Sequence, residues 1–180
     1  MTGESRAVVR RVSADDLEAI MIMEREAVGG AGWSTDGWRA ELDGADRDVL
    51  VARTDGAVVG VITVQTVDVT ADLHRLIIAD SHRRQGIGTA LIDAGVRAAR
   101  ERGAIRMLLE VEAGNDAGVA VYQHYGFEQL ASRPDYYGPG RHALIMKLYE
   151  LTGPVPITVD WVPDGATGTT DHVSDHGGRR

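Results

Sequence analysis

The stretch HRRQGIGTAL, residues 82–91, decides the fold class of this chain. It follows an apolar segment with the character of a central strand, Leu73–Ala79, and it opens an amphipathic helix. Two glycines let the backbone approach a ligand closely, and the helix start leaves several amide N–H groups unpaired. Together with Arg83 and Arg84, these amides predict an anion site that suits a pyrophosphate.

Two familiar phosphate motifs do not fit this stretch. The dinucleotide fingerprint needs a third glycine where Leu91 stands, and a P-loop needs Gly-Lys-Ser or Gly-Lys-Thr. Spacing alone therefore favours phosphate binding without naming a nucleotide class. A plain strand–turn–helix corner with exposed arginines stays open as the alternative.

Hydrophobic patterning on both sides of the stretch predicts the element order β-α-α-β-β-β-α-β-α-β-β. The predicted strands are Ala7–Val12, Val49–Ala52, Val58–Thr70, Leu73–Ala79, Ile105–Val111, Phe127–Ala131 and Ala143–Leu148. The predicted helices start at Ser13 for about four turns, at Asp36, at Ile87 and at Asn115. Because strands and helices do not simply alternate, we expect an α/β fold whose mixed central sheet of about six to seven strands is flanked by helices.

Composition excludes several kinds of protein. The 180 residues contain no cysteine, which rules out disulfides, thiolate metal sites and a cysteine nucleophile. The net charge of −8 argues against general nucleic-acid binding. No apolar run approaches the roughly 20 residues that span a bilayer, and the N-terminus lacks a signal-like apolar segment. We therefore expect a cytoplasmic protein with no membrane partner and no metal.

The segment Arg83–Leu91 resembles the acetyl-CoA signature (Q/R-x-x-G-x-G/A) of the GNAT N-acetyltransferases. Further segments are similar to the bacterial subfamily that acetylates the N-terminal alanine of a small-subunit ribosomal protein: Gly32–Ser34, Leu109–Val111, Asn115, Ala120–Tyr122, Tyr125–Phe127, Arg133, Tyr136–Tyr137 and Ala143–Met146. The resemblance covers about Val8 to Leu148. It implies the GNAT fold, acetyl-CoA as co-substrate and a protein N-terminal α-amine as acceptor.

The resemblance also implies roles for individual residues, with Glu110 as general base and Tyr122 as general acid. The implied acetyl-CoA contacts are the strand residues Leu76, Ile77 and Ile78, the loop residues Arg83, Arg84, Gln85, Gly86, Ile87, Gly88 and Thr89, and Asn115. The implied acceptor contacts are Trp33, Arg133, Tyr136 and Tyr137. In this family a β-bulge in the strand before the loop exposes backbone groups to the pantetheine and the acetyl group.

The chemistry of acetyl transfer to an amine requires a base, an acid and a hydrogen-bond donor, and these residues can supply them. A protonated amine cannot attack a thioester, so a base must first remove a proton. Glu110 ends an apolar strand, where we expect partial burial to raise its pKa. Tyr122 would protonate the departing thiolate, and the backbone N–H of Ile78 would polarise the acetyl carbonyl.

Structural interpretations of the same residues stay open. Glu110 would be an ordinary charge at the edge of the sheet, and Tyr122 a core aromatic at helical spacing from Val119. Asn115 would be a helix N-cap, alone or in addition to binding. Trp33 and the paired tyrosines would simply pack.

Departures from the subfamily pattern leave the acceptor open. Gly32 stands where the subfamily has a proline, which predicts a looser loop, and Pro134-Asp135 before the paired tyrosines is also unusual. A small amine or an antibiotic is the alternative acceptor. A non-catalytic acyl-CoA-binding regulatory module is the alternative from another class, although the presence of both Glu110 and Tyr122 argues against it.

The last 30 residues differ in composition from the rest. We expect a GNAT domain over residues 1–150 and a Pro/Gly-rich, largely disordered tail over 151–180. His172 and His176 lie in this tail and are interpreted as solvated. We expect a monomer or a weak dimer.

Overall fold

The computed structural model describes residues 7–29 and 32–151, together with the backbone of 160–161. The strands are β1 (Val8–Arg11), β2 (Arg47–Thr54), β3 (Ala57–Val67), β4 (Thr70–Ile78), β5 (Arg106–Glu112), β6 (Glu128–Arg133), β7 (Ala143–Leu148) and the two-residue β8 (Asp160–Trp161). The helices are α1 (Leu17–Val28), α2 (Thr35–Asp43), α3 (Ile87–Glu101) and α4 (Asp116–Tyr125). This order and the mixed α/β architecture confirm the predicted fold class.

Local signals in the sequence set the helix boundaries. Ser13 and Asp16 form the predicted capping box, in which the Ser13 N–H donates to the Asp16 carboxylate at 2.8 Å. A short 3-10 turn, Ala14–Asp16, precedes α1. Gly126 ends α4 in the left-handed conformation, as its position after the last apolar residue indicates.

The predicted end of one strand is wrong. The sequence favours a single strand over Val58–Thr70, but the chain turns at Asp68–Val69 and Thr70 already belongs to β4. Asp68 adopts a positive φ of 52°, which an aspartate tolerates in a tight turn. The apolar and β-branched residues on both sides of this turn hide it in the sequence pattern.

The strands form one sheet in the order β6-β7-β5-β4-β3-β2-β1-β8. Neighbours pair antiparallel, except that β4 pairs parallel with β5 and β1 pairs parallel with β8. The parallel pairing of β4 with β5 stops at Leu73 and Leu109. Beyond it, β4 continues to Ile78 and β5 to Glu112 without pairing to each other. We call this gap between the two strands the β4–β5 opening.

A β-bulge in β4 lies at the start of this opening. Thr63 of β3 pairs with Arg75, whereas the next residue of β3, Val64, pairs with Leu73. His74 is therefore the extra residue, and the usual alternation of side chains is interrupted there. As a result His74 and Arg75 both point to the same face of the sheet, as their contacts described below show.

Each face of the sheet is covered by a pair of helices over a separate core. On one face, called the α3–α4 face, Leu50 and Ile62 pack with Leu91 and Met107. On the other, the α1–α2 face, the core is formed by Ile20, Met23, Trp38, Val49, Val51, Val61 and Ile77. Because a fully buried side chain contributes about 1.5–3 kcal/mol, both cores stabilise the sheet substantially.

The C-terminal segment returns to the body of the domain at two points. Leu151 is buried in the α3–α4 core, and its N–H donates to the Ile105 carbonyl at 3.3 Å. Asp160–Trp161 adds the short β8 beside β1. The expectation of disorder in the rest of the tail, together with His172 and His176, concerns residues outside the described ranges.

Candidate active site

The predicted anion site forms where β4 gives way to α3. Gly86 is the N-cap residue of α3 and has a left-handed conformation with φ of 79°, which a glycine adopts without strain. The first helical hydrogen bond runs from the Ala90 N–H to the Gly86 carbonyl at 3.0 Å. The amides of Gly86, Ile87, Gly88 and Thr89 precede it and have no partner within the helix. These four amides, at the positive end of a 15-residue helix, are suited to hold a phosphate.

The polar side chains of this loop differ in their freedom. Arg83 forms an ion pair with Asp80 at 2.7 Å, and the Gln85 amide donates to the Ser81 carbonyl at 3.2 Å. Arg84 is exposed and makes no hydrogen bond or ion pair within the described part of the chain. Arg84 is therefore the cation of this loop that is free to meet an anion.

The three predicted strand residues divide between the two faces of the sheet. Leu76 and Ile78 pack against the α3–α4 core, whereas Ile77 is buried in the α1–α2 core. The Ala79 N–H donates to the Val59 carbonyl of β3 at 2.9 Å. Since N–H groups alternate between the two edges of a strand, the Ile78 N–H points into the β4–β5 opening. This is the placement that polarisation of an acetyl carbonyl requires.

Asn115 is the N-cap of α4. Its side-chain oxygen accepts from the Gly118 N–H at 3.0 Å, which satisfies one of the free amides of the helix start. The capping interpretation is therefore confirmed. The Asn115 amide nitrogen has no hydrogen-bond partner among the described residues, so capping leaves it free to donate to a ligand.

The expected burial of Glu110 is wrong. Leu109 and Val111 point into the α3–α4 core, so Glu110, between them, points to the opposite face. The two helices on that face pack on β2, β3 and β4, and Glu110 is exposed. Its carboxylate forms an ion pair with Arg133 of β6 at 2.6 Å. Glu110 and Arg133, predicted for different roles, are thus brought together at the β4–β5 opening.

Tyr122 is a core aromatic whose hydroxyl lies within electrostatic reach of Tyr137 and Arg75. The residue is 7% exposed, and its ring packs against Phe127 with centroids 5.8 Å apart. Burial raises the pKa of the Tyr122 phenol, and nearby Tyr137 raises it further, whereas Arg75 lowers it. The hydroxyl therefore keeps its proton at neutral pH, as a group that donates a proton must.

Trp33 borders the opening from the α1–α2 face. Its ring lies 5.2 Å from that of Trp38 and 6.5 Å from that of His74, and the Arg75 guanidinium lies 4.5 Å from its centroid. The backbone N–H of Trp33 donates to the buried Glu24 carboxylate at 2.7 Å. This bond anchors the Trp33 end of a loop that the sequence predicts to be loose.

Glu24 also explains the glycine that precedes Trp33. A Cβ at Gly32 would lie 2.8 Å from the Glu24 Oε1 atom and 2.9 Å from its Cγ atom. The same carboxylate receives the Arg75 guanidinium at 3.0 Å, so it has little freedom to move aside. Glycine at position 32 is therefore a packing requirement in this protein.

The paired tyrosines lie on the loop between β6 and β7. Their rings meet edge to face at 5.0 Å, and the Arg133 guanidinium lies 5.5 Å from the Tyr136 centroid. Burial, together with the negative charge of Glu110, raises the pKa of Tyr137. The loop is held to β5 by an ion pair between Arg141 and Glu112 at 2.7 Å. Tyr137 therefore lies within electrostatic reach of Glu110.

Several polar residues at the opening were missed by the sequence reasoning. Glu41 of α2 accepts hydrogen bonds from Thr63 and from Arg47, the latter at 3.0 Å, and lies 3.2 Å from the His74 Nδ1 atom. Burial raises the pKa of half-buried Asp72; the neighbouring His74 lowers it, and the carboxylate of Glu110 raises it. The only sequence signal for this cluster is the interruption of an apolar strand by polar residues, ADLHRL at 71–76.

A cavity of about 280 Å³ lies beside this polar cluster and is lined by Trp33, Ser34, Gly37 and Glu41. Within residues 7–29 and 32–151, no three His, Asp or Glu side chains are grouped to hold a metal ion. No helix in the described ranges is long and apolar enough to cross a membrane.

The chain is similar to known acetyltransferases. The model of the acetyltransferase (GNAT) family matches residues 15–127. The chain is 27% identical over 145 residues to a Bacillus subtilis protein provisionally named a ribosomal protein bS18-alanine N-acetyltransferase, covering 79% of this chain and 95% of that protein. It is 36% identical over 81 residues to the ribosomal protein bS18-alanine N-acetyltransferase of Escherichia coli K12, covering 43% of this chain and 55% of that one.

A comparison with solved structures finds the same kind of enzyme. The crystal structure of the ribosomal-protein-S18-alanine N-acetyltransferase from Escherichia coli superposes with a TM-score of 0.72 at 26% identity, covering 82% of this chain and 96% of that one. The family match spans more than half of the chain, and the fold agrees. The chain therefore belongs to the GNAT family and is an N-acetyltransferase that uses acetyl-CoA as its co-substrate.

Proposed function

We propose that this enzyme transfers the acetyl group to a protein N-terminal α-amine, with the N-terminal alanine of a small-subunit ribosomal protein as its acceptor. One observation carries the proposal. The β4–β5 opening connects the phosphate loop to a surface flanked by Trp33 and by Tyr136 and Tyr137, which suits an extended peptide more than a compact amine. The names of the Bacillus and Escherichia relatives support the choice of acceptor. Such an acceptor is made in the cytoplasm, where we place the enzyme.

Acetyl-CoA binding is assigned to one side of the opening. The pyrophosphate would rest on the amides of Gly86 to Thr89, with Arg84 as the free cation. The pantetheine arm would run along the backbone of Leu76 to Ile78, where the edge of β4 is unpaired. The free amide nitrogen of Asn115 would donate to the same arm. This arrangement brings the thioester to the opening.

The chemistry follows from the groups at the opening. Glu110 accepts a proton from the acceptor ammonium, and the free amine attacks the thioester carbonyl. The carbonyl oxygen becomes negative and accepts a hydrogen bond from the Ile78 N–H. The carbon–sulfur bond then breaks, and Tyr122 gives its proton to the departing thiolate. The attacking nitrogen, which is positively charged after the attack, loses its second proton to solvent, and solvent reprotonates Tyr122. Transfer is direct, because the chain has no cysteine to carry the acetyl group.

The ion pair of Glu110 with Arg133 has a place in this scheme. An exposed pair of this kind is worth at most about 1 kcal/mol, so an incoming ammonium can replace the guanidinium at low cost. The displaced Arg133 remains beside Tyr136, next to the path of the peptide. Arg133 thus covers the base when no acceptor is bound.

The experiment that tests this proposal is CoA release from acetyl-CoA with a panel of acceptors. The panel contains peptides that begin with alanine, serine or methionine, an N-blocked lysine peptide, and a polyamine. We expect turnover of free peptide α-amines, fastest with alanine. Activity confined to the polyamine would assign a small-molecule acceptor instead, and CoA binding without turnover of any amine would indicate a regulatory module.

A further inference from the structure

We propose that His74, oriented by Glu41, is a second group that can accept the proton of the incoming ammonium. His74 and Glu110 would act from opposite sides of the β4–β5 opening. This inference rests on the proposed function only in requiring an amine acceptor. It assigns roles to His74 and Glu41, which neither the sequence pattern nor the family resemblance indicated.

The bulge in β4 places His74 at this position. Parallel pairing ends at Leu73 and Leu109, so His74 and Glu110 are the next residues on the two separating strands. His74 is the extra residue of the bulge, and its contacts with Glu41 and Trp33 place it on the α1–α2 face. Glu110 points to the same face of β5. The two side chains therefore flank the mouth of the opening on the acceptor side.

Glu41 fixes the orientation of the imidazole. The His74 Nδ1 atom lies 3.2 Å and 3.4 Å from the two oxygens of the Glu41 carboxylate. Glu41 is itself held by Thr63 and Arg47, and it is 8% exposed. A carboxylate can only accept a hydrogen bond, so the proton of the neutral ring is on Nδ1. The lone pair then lies on Nε2, which makes no hydrogen bond among the described residues.

The edge of the Trp33 ring limits how the imidazole can turn. The two ring planes meet at 77° with centroids 6.5 Å apart. His74 has one quarter of its side chain exposed, so a ligand can reach it. The cavity of about 280 Å³ beside Trp33 and Glu41 provides room for the first residue of an acceptor. An oriented, reachable imidazole beside an acceptor cavity is the arrangement that a general base needs.

Charged and titratable groups from the neighbouring elements lie around His74. They are Glu41 from α2, Glu24 from α1, Arg47 from β2, Asp72 and Arg75 from β4, Glu110 from β5, and Tyr137 from the β6–β7 loop. In the absence of acceptor, Glu110 forms its ion pair with Arg133. The Nε2 atom of His74 makes no hydrogen bond among the described residues, so it can accept a proton without first releasing a partner.

The test begins with His74→Asn, which keeps an amide N–H in place of the Nδ1 donor and removes the titratable ring. We expect kcat/KM for an alanine peptide to fall about tenfold or more at pH 7. The loss should shrink at pH 9, because an α-amine with an ordinary pKa of about 8 is then already deprotonated. Added imidazole should restore activity to His74→Ala. The matched control is His124→Asn, on the exposed side of α4, and it should behave as the wild type.

A second readout needs no acceptor. Nitrogen-15 NMR of the histidine side chains should show His74 with its proton on Nδ1, and Glu41→Gln should weaken that preference. A His74 ring protonated on Nε2 would overturn the proposal, as would unchanged pH profiles without imidazole rescue. If the wild type acetylates no peptide, the proposed acceptor fails, and the NMR measurement still decides whether His74 is oriented as inferred.

Discussion

At the scale of single residues, the most consequential placement is that of Glu110 on the face of β5 opposite the α3–α4 core. Its neighbours Leu109 and Val111 fill the α3–α4 core, so strand alternation alone keeps the carboxylate outside. An exposed carboxylate can meet an acceptor ammonium directly. Proximity to the amine, and not burial, is therefore the property on which its proposed role depends.

Replacing this carboxylate tests that role. We expect Glu110→Gln to lower kcat/KM for a peptide α-amine about 100-fold at pH 7, and by much less at pH 9 where the amine is already free. The measurement is a pH–rate profile from pH 6 to 9. Glu128→Gln, an exposed carboxylate on β6, is the control for a change of net charge. An equal loss at every pH would remove Glu110 from proton transfer.

Tyr122 offers a second test at this scale. Tyr122→Phe removes the hydroxyl and keeps the ring that packs on Phe127, so the melting temperature should stay nearly constant. We expect kcat to fall about tenfold to 100-fold, with little change in the KM for either substrate. Tyr125→Phe is the matched control: it is another tyrosine of α4 with a raised pKa, mainly from burial, and its hydroxyl faces Asp93 instead. Equal activity in both variants would contradict a role for the Tyr122 hydroxyl.

At the scale of elements, the site is made by the way β4 ends. The turn after β4 directs the chain into α3 with four free amides, and the bulge within β4 brings His74 and Arg75 to the same face. The bulge at His74 and the first of the free amides, at Gly86, are 12 residues apart in the sequence. In the proposed reaction, the end of β4 would lead into the phosphate-binding loop on one side, and its bulge would present polar groups to the acceptor on the other.

The loop at the start of α3 can be tested by crowding it. A Cβ at Gly88 would point toward Val121 at 3.7 Å and Ile78 at 3.9 Å, so the branches of a valine would fill the space between β4 and α4. We expect Gly88→Val to raise the KM for acetyl-CoA about tenfold or more and to leave the peptide KM nearly unchanged. Gly114→Ala, whose Cβ would meet open space, is the control. An unchanged KM for acetyl-CoA would contradict the assignment of this loop.

The sequence predicts these elements well where the signal is local. The strand–loop–helix corner before Ile87, the caps at Ser13 and Asn115, and the element order through β7 all depend on neighbouring residues, and all appear as predicted. The turn at Asp68–Val69 and the bulge at His74 depend on which residues of β3 lie opposite, and the pattern of a single strand does not contain that information. The Glu41–His74 contact joins residues 33 positions apart and was therefore missed.

At the scale of the whole molecule, Glu41 links α2 to three strands of the sheet. Burial alone would raise the pKa of its carboxyl, but hydrogen bonds from His74, Thr63 and Arg47 outweigh that effect and lower the pKa from 4.5 to about 2. Between about pH 2 and pH 4.5, Glu41 is therefore charged in the folded protein but mostly protonated in the unfolded chain. The resulting stability is present in full above about pH 4.5 and is lost as the pH falls toward 2.

This linkage predicts the acid stability of the enzyme. The pKa difference corresponds to a contribution of up to about 3 kcal/mol to the free energy of unfolding at neutral pH. We expect Glu41→Gln to be less stable at pH 7 and to lose less further stability between pH 4.5 and 3 than the wild type. Urea unfolding at these pH values measures both quantities. Glu128→Gln should follow the wild-type curve, and a Glu41→Gln curve parallel to it would contradict the linkage.

The β4–β5 opening passes through the sheet, and this gives the proposed reaction two separate exits. CoA would leave on the side of the phosphate loop, and the acetylated chain on the side of Trp33. Neither product has to wait for the other, so an analogue of CoA should compete with acetyl-CoA alone and an acetylated peptide with the acceptor alone. A single compound that joins a pantetheine thiol to a peptide amine through the opening would occupy both sides at once. Such a compound would gain from a high effective concentration at its second site, and it is the inhibitor design that this architecture favours.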